Sequence, residues 1–248
     1  IGPLLSWNYT SQSVLLNRFK LPLSISFLSG LGYIIFSSLF QLYVFVAIMG
    51  VSFTLSSILG EFYKSFKKQK NSSNFLHSIV KMFLSNRHKN GGYIVHIGIV
   101  LLFIGFIGRA FEVEKEFSLS PGEQIYFSNY VFKLNSIKSE ARANHYAFLS
   151  EIDVVDSSTN QLLTNLKPEK RIYFYWNSDP EKRQPHSELD IYSTIQKDIY
   201  SIFSGYDAQK NIGYFKIMIN PLVNWVWIGG VLMVIGSLFA FWPSRRNS

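Results

Sequence analysis

The 248-residue sequence contains no cysteine, and charged residues make up only 16% of it. Without cysteine, the chain cannot form a disulfide framework, a thiolate metal site, a CxxC redox pair or a covalent CxxCH haem attachment. It also lacks a GxSxG nucleophile motif, a Walker phosphate loop and a dinucleotide-binding fingerprint. Because hydrophobic residues make up 48%, the composition indicates a membrane protein that carries a folded aqueous domain.

Long apolar segments predict four membrane-spanning helices. Segment 22–63 is about twice the length that crosses a bilayer once, so we expect a helical hairpin that turns near Leu39 to Gln41. We expect the third span at 92–111 and the fourth at 222–242. Tryptophans lie at both ends of the fourth span, which is typical of residues that anchor a helix at the two membrane interfaces.

The distribution of charge predicts how the spans are oriented. Residues 1–21, the loop 64–91 and the tail 243–248 carry eleven basic residues and no acidic residue. The stretch 112–221 carries fifteen acidic and twelve basic residues. The positive-inside rule therefore predicts cytoplasmic termini, a cytoplasmic loop 64–91 and an extracytoplasmic stretch 112–221. The net charge of +8 then reflects a basic membrane rim that contacts lipid headgroups, and we do not expect nucleic-acid binding.

Two further elements are predicted from residue patterns. Apolar residues between 75 and 83 recur at helical spacing, which predicts an amphipathic helix on the cytoplasmic membrane surface. In 112–221, turn residues separate runs of β-branched and aromatic residues. We expect seven or eight strands that form a small antiparallel sandwich or barrel. The clearest runs are 145–155, 171–176, 188–194, 198–206 and 213–220.

His96 is the one Asp, Glu, Lys, Arg or His residue between Lys89 and Arg109, and it lies inside the third predicted span. A polar group in the bilayer costs free energy, and where it persists it usually serves a function. One interpretation is a hydrogen bond to a neighbouring helix. The other is axial ligation of a non-covalent b-type haem, because neutral imidazole binds iron well and haem is itself apolar.

Glycines surround this histidine. Gly91, Gly98 and Gly105 recur every seven residues and predict a helix face on which another helix or a flat cofactor can approach closely. Gly92 lies one turn before His96 and leaves room beside the imidazole.

Charged residues outside the spans provide further candidate contacts. Arg109 ends the third span, where it can anchor the helix at the interface or contact a haem propionate. A group of charged residues surrounds a proline at the start of a predicted strand, either as a salt-bridged surface or as a docking patch for an anionic group or a partner protein. These residues are Lys167, Glu169, Lys170 and Arg171. The remaining histidines lack metal-ligand spacing and are interpreted as surface residues; they are His77, His88, His145 and His186.

Four stretches in this order carry a resemblance to one family. They are GGYIVHIGIVLLFIGFIG (91–108), LKPEKRIYFYW (166–176), QPHSELDIYSTIQKDIYSIF (184–203) and NPLVNWVWIGGVLMVIGSLFAFWP (220–243). Together with the opening IGPLLSW, they resemble the carboxy-terminal part of CcmF, the membrane haem-lyase subunit of system I cytochrome c maturation.

The resemblance implies a non-autonomous subunit of a lyase that attaches haem to the CxxCH thiols of apocytochrome c on the outer face. The implied partners are the haem carrier CcmE and a CcmH-type thiol protein. It also implies a b-type haem held between helices by two histidines, of which His96 matches the second. The resemblance places the β domain, with Lys167, Glu169, Lys170 and Arg171, beside the site of haem transfer.

The sequence departs from the family pattern in what it lacks. The tryptophan-rich segment that holds the carrier's haem, and the other functional histidines, belong to the family's amino-terminal part. We expect that part either in the same longer protein or in a separate chain. The expected location is the bacterial inner membrane or, given the Phe-, Ile-, Asn- and Lys-rich usage, the mitochondrial inner membrane. A scaffold module without haem and a b-type electron-transfer subunit are the alternatives.

Overall fold

The computed structural model describes residues 12–37, 40–68, 87–174 and 185–242. They form two compact units, a helical unit from residues 1–110 and 222–248 and a β domain from residues 111–221. The predicted amphipathic helix falls on residues 69–86, outside the described residues.

The described part of the helical unit contains four helices that are long and apolar enough to cross a membrane. They are α1 (Gln12–Phe36), α2 (Leu42–Lys68), α3 (Arg87–Gly108) and α4 (Asn224–Phe241). The four predicted apolar helices are therefore confirmed. The first predicted span starts at residue 22, whereas α1 begins at Gln12. Arg18 and Lys20 interrupt the apolar pattern of the sequence, but they do not interrupt the helix. A short 3-10 helix, Arg109–Phe111, follows α3.

Helices α1 and α2 pack as an antiparallel hairpin. The buried Ser26 hydroxyl donates a hydrogen bond to the Met49 carbonyl oxygen across the pair, at 2.8 Å. Phe19 stacks on Phe53 with ring centroids 5.7 Å apart. A hydrogen bond and an aromatic pair thus stabilise the hairpin. Hydropathy predicts the hairpin but not these two contacts.

Helices α3 and α4 approach each other through glycines. A Cβ atom at Gly98 would lie 2.7 Å from the Gly229 carbonyl oxygen, and one at Gly229 would lie 2.5 Å from the Gly98 carbonyl oxygen. Gly91 and Gly105, one heptad before and one heptad after Gly98, meet α4 in the same way. The predicted small-residue face is therefore a helix–helix interface, in which backbone packing replaces side chains.

The β domain is an antiparallel sandwich. One sheet has the strand order β1-β10-β9-β8, and the other has the order β2-β3-β4-β6-β7, with β5 paired to β4. The described residues contain ten strands: β1 (Val113–Leu119), β2 (Gln124–Phe127), β3 (Tyr130–Ala141), β4 (His145–Asp156), β5 (Leu162–Leu166), β6 (Glu169–Tyr173), β7 (Pro185–Glu188), β8 (Asp190–Ser193), β9 (Lys197–Asp207) and β10 (Ile212–Pro221).

The sandwich class is confirmed, but the structure has more strands than the seven or eight predicted. The clearest predicted runs omit β1, β2, β3, β5 and β7, in which charged and polar residues break the simple alternation. The inner faces of both sheets form one hydrophobic core, in which Phe203 stacks on Phe215 at 4.8 Å between centroids. Residues fully buried in this core are Phe132, Leu134, Ile152, Val154, Ile199 and Ile217.

We predict that Gly229→Ala destabilises the helical unit, whereas its neighbour Gly230→Ala does not. The added methyl group at Gly229 would collide with α3 backbone atoms that cannot move aside, whereas the one at Gly230 meets no atom within 4 Å. The expected loss for Gly229→Ala is about 1–3 kcal/mol, which is typical of overpacking. Thermal unfolding in detergent micelles measures it, and equal stability of the two variants would contradict the packing described.

Candidate functional site

His96 lies on the side of α3 that faces away from α4. It is about 160° around the helix axis from Gly98, which packs on α4. The His96 Nδ1 atom lies 2.7 Å from the Gly92 carbonyl oxygen. Because a carbonyl oxygen can only accept, Nδ1 carries the proton, and Nε2 of the neutral ring keeps its lone pair. The hydrogen bond therefore orients the ring as a metal ligand would be oriented.

An apolar groove of about 560 Å³ lies between α2 and α3, on the side of α3 that carries His96. The α3 wall consists of Ile99, Val100 and Phe103, which follow His96 at helical spacing on the same side. The volume lies within the usual range of ligand pockets. The α2 wall is Leu42, Tyr43, Val46, Ala47, Gly50, Val51 and Thr54.

A polar cluster lies in the other direction along α3 from His96. We define it as Glu61, Lys64, Lys89 and Tyr93. The Glu61 carboxylate is 3.1 Å from Lys89 Nζ and 3.4 Å from Lys64 Nζ, and its side chain is only 13% exposed. Tyr93 is 2% exposed and packs edge-on against Phe62. Lys89 Nζ lies 5.5 Å from the centre of the Tyr93 ring.

The polar cluster was not among the predicted site residues, although the sequence contains two signals for it. Glu61 is the one acidic residue outside 112–221. Lys89, His96 and Phe103 are spaced seven residues apart, so the three lie on nearly the same side of the helix. The prediction of close helix approach relied instead on the glycines at heptad spacing, which lie on the opposite side of α3.

The structure separates His96 from the other predicted residues of the helical unit. Arg109 is exposed in the 3-10 helix, about 20 Å further along the axis. The histidines among the described helical residues are His88 and His96, and about 12 Å of helix lies between them. These two cannot share one iron atom, so a second axial histidine would come from outside the described helical residues. The propionate contact of Arg109 stays a prediction.

In the β domain, the predicted docking residues divide between the two faces of β6. Glu169 and Arg171 share one face, where Arg171 Nε donates to Glu169 at 2.8 Å and Arg142 donates to the same carboxylate at 3.2 Å. Arg171 also pairs with Glu188 at 3.2 Å. This face of β6 is therefore occupied by an ion-pair network within the domain.

The two lysines of the predicted patch lie apart from this network. Lys170, on the other face, donates a hydrogen bond to the Ser187 hydroxyl at 2.8 Å, and burial lowers its pKa. Lys167 is 62% exposed and lies 3.9 Å from Glu151. Lys167 is thus the most accessible of the four, and a docking role for the patch stays a prediction.

Electrostatics stabilise the network around Glu169. Burial alone would raise the pKa of Glu169, but the hydrogen bonds from Arg171 and Arg142 outweigh it and hold the pKa below its ordinary value. The pKa of Arg171 is raised, first by its hydrogen bond with Tyr173 and then by the one with Glu169. Both ion-pair partners are therefore charged at neutral pH.

The chain is a helical membrane protein with a β sandwich inserted between its third and fourth spans. Residues 110–221 match the family model described as the CcmF C-terminal beta-sandwich. Across its length, the chain is similar to a solved structure of "Cytochrome c Heme Lyase CcmF", with a TM-score of 0.70 and 19% identity over 98% of this chain and 37% of that chain. At this identity, the likeness shows the fold.

Curated relatives point to the same family. The chain is 23% identical to the cytochrome c-type biogenesis protein CcmF of Haemophilus influenzae, over 99% of this chain and 36% of the relative. It is 28% identical to the cytochrome c-type biogenesis protein ccl1 of Rhodobacter capsulatus, over 61% of this chain and 22% of the relative. The β domain thus matches the CcmF C-terminal beta-sandwich, the chain as a whole is similar to the carboxy-terminal part of CcmF proteins, and it spans about a third of the Haemophilus relative.

We predict that Glu169→Gln weakens the β6 region at neutral pH. The lost charge removes charge-assisted hydrogen bonds from two arginines, and we expect a loss of about 1–2 kcal/mol. Because the folded pKa of Glu169 is depressed, its stabilisation is present above the ordinary pKa and is lost as pH falls through the folded pKa. Hydrogen exchange of β6 amides should therefore differ between variant and wild type at pH 7 and converge in acid. A difference that persists unchanged at low pH would rule out this account.

Proposed function

We propose that the chain is a subunit of a membrane complex that attaches haem to apocytochrome c on the outer face, and that His96 ligates a b-type haem within the membrane. Support for the first part comes from the relatives, whose printed names are those of cytochrome c-type biogenesis proteins and a haem lyase. The remaining length of the family, from the same chain or a separate one, would complete the complex with a CcmH-type partner and the carrier CcmE.

The observation that carries the haem proposal is the hydrogen bond of His96 Nδ1 to the Gly92 carbonyl oxygen, beside an apolar groove. This hydrogen bond leaves Nε2 of the neutral ring available as a ligand atom, and the groove walls between α2 and α3 suit an apolar macrocycle. His96 and the groove walls therefore fit a haem for which His96 would be one of the two axial ligands. A haem bound there would supply one-electron chemistry, and His96 would tune its potential.

The attachment reaction suits a chain without a nucleophile motif. A cysteine thiol of the apocytochrome adds across a vinyl group of the substrate haem. The sulfur–carbon bond forms, the S–H bond breaks, and the hydrogen goes to the other vinyl carbon without a leaving group. Such an addition depends on holding the two substrates in orientation. The proposed role of this chain is therefore to position them, not to supply an acid–base pair.

The charge pattern supports an outer-face site. With the basic segments in the cytoplasm, the β domain lies on the outer side of a bacterial inner membrane, where apocytochrome thiols would be met. Lys167, the most exposed of the candidate docking residues, is the one best placed to receive a partner.

His96→Gly should remove the b-type band from the reduced-minus-oxidised spectrum of the complex, and added imidazole should restore it. The glycine variant leaves space in which free imidazole can replace the side chain as ligand. The spectrum should be recorded on this chain purified together with the remaining family length. A spectrum indifferent to the substitution would leave His96 as a packing residue and favour the scaffold function.

Gly50→Leu should lower haem content, whereas Gly32→Leu should not. Both glycines have open space where a side chain would begin, so neither substitution should disturb the fold. Gly50 lines the groove beside His96, whereas Gly32 lies on α1 and is not part of the groove. Haem per protein is measured by pyridine haemochrome in both variants. Equal haem content would show that the groove is not where haem binds.

A further inference from the structure

Strand β1 is an open edge of the β domain that has no role in the function proposed so far. It pairs with β10 along all seven of its residues. On its other side the described residues provide no strand, and no described backbone group bonds to it there. The strands at the other sheet ends, β2, β7 and β8, have four residues each. β1 is therefore the longest strand at a sheet end, and its free N–H and C=O groups can pair with another chain.

The side chains of β1 that point away from the core are mainly acidic. Phe117 packs against the core, so by alternation Glu114, Glu116 and Ser118 lie on the opposite face of the sheet. Lys216 of β10 is directly opposite Glu116, but its Nζ pairs with Glu114 at 2.8 Å. The outward residues of β1 and β10 thus include two carboxylates and one ammonium group.

The carboxylates around Lys216 make this face attractive to a further cation. The pKa of Lys216 is raised, first by its hydrogen bond with Glu114 and then by attraction to Glu114, Glu116 and Glu112. Three acids therefore act on a single lysine, and its one positive charge does not neutralise them. A positively charged partner that approaches β1 gains from this imbalance, and an acidic partner is repelled.

A cavity of about 300 Å³ lies on the same face, at a β-bulge. The register between β9 and β10 shifts between Tyr214 and Phe215, so Ser204 has no partner residue on β10. The cavity is lined by Glu116, Phe117, Ser118, Ser204, Tyr214 and Phe215. A carboxylate, two hydroxyl groups and an aromatic ring can form an ion pair, hydrogen bonds and a cation–π contact with a lysine side chain.

We propose that β1 binds an extended cationic segment of a partner polypeptide, which adds a strand to the sheet and places a lysine side chain in the cavity beside Glu116. The backbone hydrogen bonds would supply affinity, and the cavity and the carboxylates would select a basic side chain. A neutral segment could pair with the same edge, but it would leave the carboxylates unmatched. This inference goes beyond the proposed function and does not rest on haem ligation by His96.

The test measures binding of a fluorescent eight-residue peptide of alternating lysine and threonine. The chain is purified with the remaining family length in neutral detergent micelles, and the control peptide has glutamate in place of lysine. We expect the lysine peptide to bind about tenfold more tightly at low salt, with a preference that falls as salt is added. If neither peptide binds, or both bind equally, the proposal is overturned, and the charges of β1 serve only to protect the edge from pairing with another copy.

Two matched substitutions separate the cavity from the overall charge. Glu116→Gln should weaken binding of the lysine peptide about threefold, because it removes one exposed ion pair. Glu140→Gln changes the net charge equally, but Glu140 lies on β3 of the other sheet, so binding should be unchanged. Equal effects of the two substitutions would mean that the peptide responds to net charge alone, which would overturn the site.

Ser204→Leu fills the cavity and leaves both carboxylates in place. Because Ser204 is exposed, we expect the melting temperature to stay at the wild-type value while binding weakens about fivefold. Wild-type affinity in this variant would show that the cavity does not hold the lysine side chain. If the variant does not fold, the comparison of Glu116→Gln with Glu140→Gln still decides the question.

Two N-methylated forms of the lysine peptide test the strand pairing. One form carries methyl groups on the lysine amides, and the other carries them on the threonine amides. Successive N–H groups of a strand point to opposite sides, so only one of the two sets can face β1, whichever way the peptide runs. Only one form should therefore lose binding. If the two forms behave alike, the peptide does not pair with β1 as a strand, and the proposal is overturned.

Discussion

The close contact between α3 and α4 is the constraint on which the helical unit depends. Glycine on both helices lets the backbones meet with no side chain between them, as shown by the short distances that a Cβ at Gly98 or Gly229 would make. Helix association in a membrane has little hydrophobic driving force, so dispersion at such a contact carries much of the stability. The contact also joins the two helices between which the chain forms the β domain, residues 111–221.

This contact determines which way His96 faces. A helix that uses one side for backbone packing presents the opposite side to other neighbours, and His96 is on that opposite side. The same side carries Lys89 at one end and Phe103 at the other, and α2 reaches both of them. A polar pair, an imidazole and an apolar groove therefore follow one another along α3 because the glycines fix its rotation.

The sequence was sufficient to predict those elements whose pattern lies within one short segment. Hydropathy is enough to predict four spans, and heptad spacing is enough to predict a close approach at Gly91, Gly98 and Gly105. Contacts that depend on the register between distant segments could not be predicted in this way. Arg142 and Glu169 are 27 residues apart and meet only because β4 pairs with both β3 and β6. Glu61 and Lys89 are 28 residues apart and meet only through the packing of α2 on α3.

The two ion-pair groups share one arrangement but stabilise different kinds of contact. In the β domain, Glu169 is shared by Arg142 and Arg171, and Glu140 and Glu188 complete an alternating chain of three carboxylates and two guanidinium groups. Every cation there is already flanked by acids, so the group is closed to a further anion and serves stability. In the helical unit, Glu61 is also shared by two cations, Lys64 on its own helix and Lys89 on α3. The β-domain group therefore ties strands of one sheet together, whereas the helical group ties α2 to α3 beside the edge-on contact of Phe62 with Tyr93.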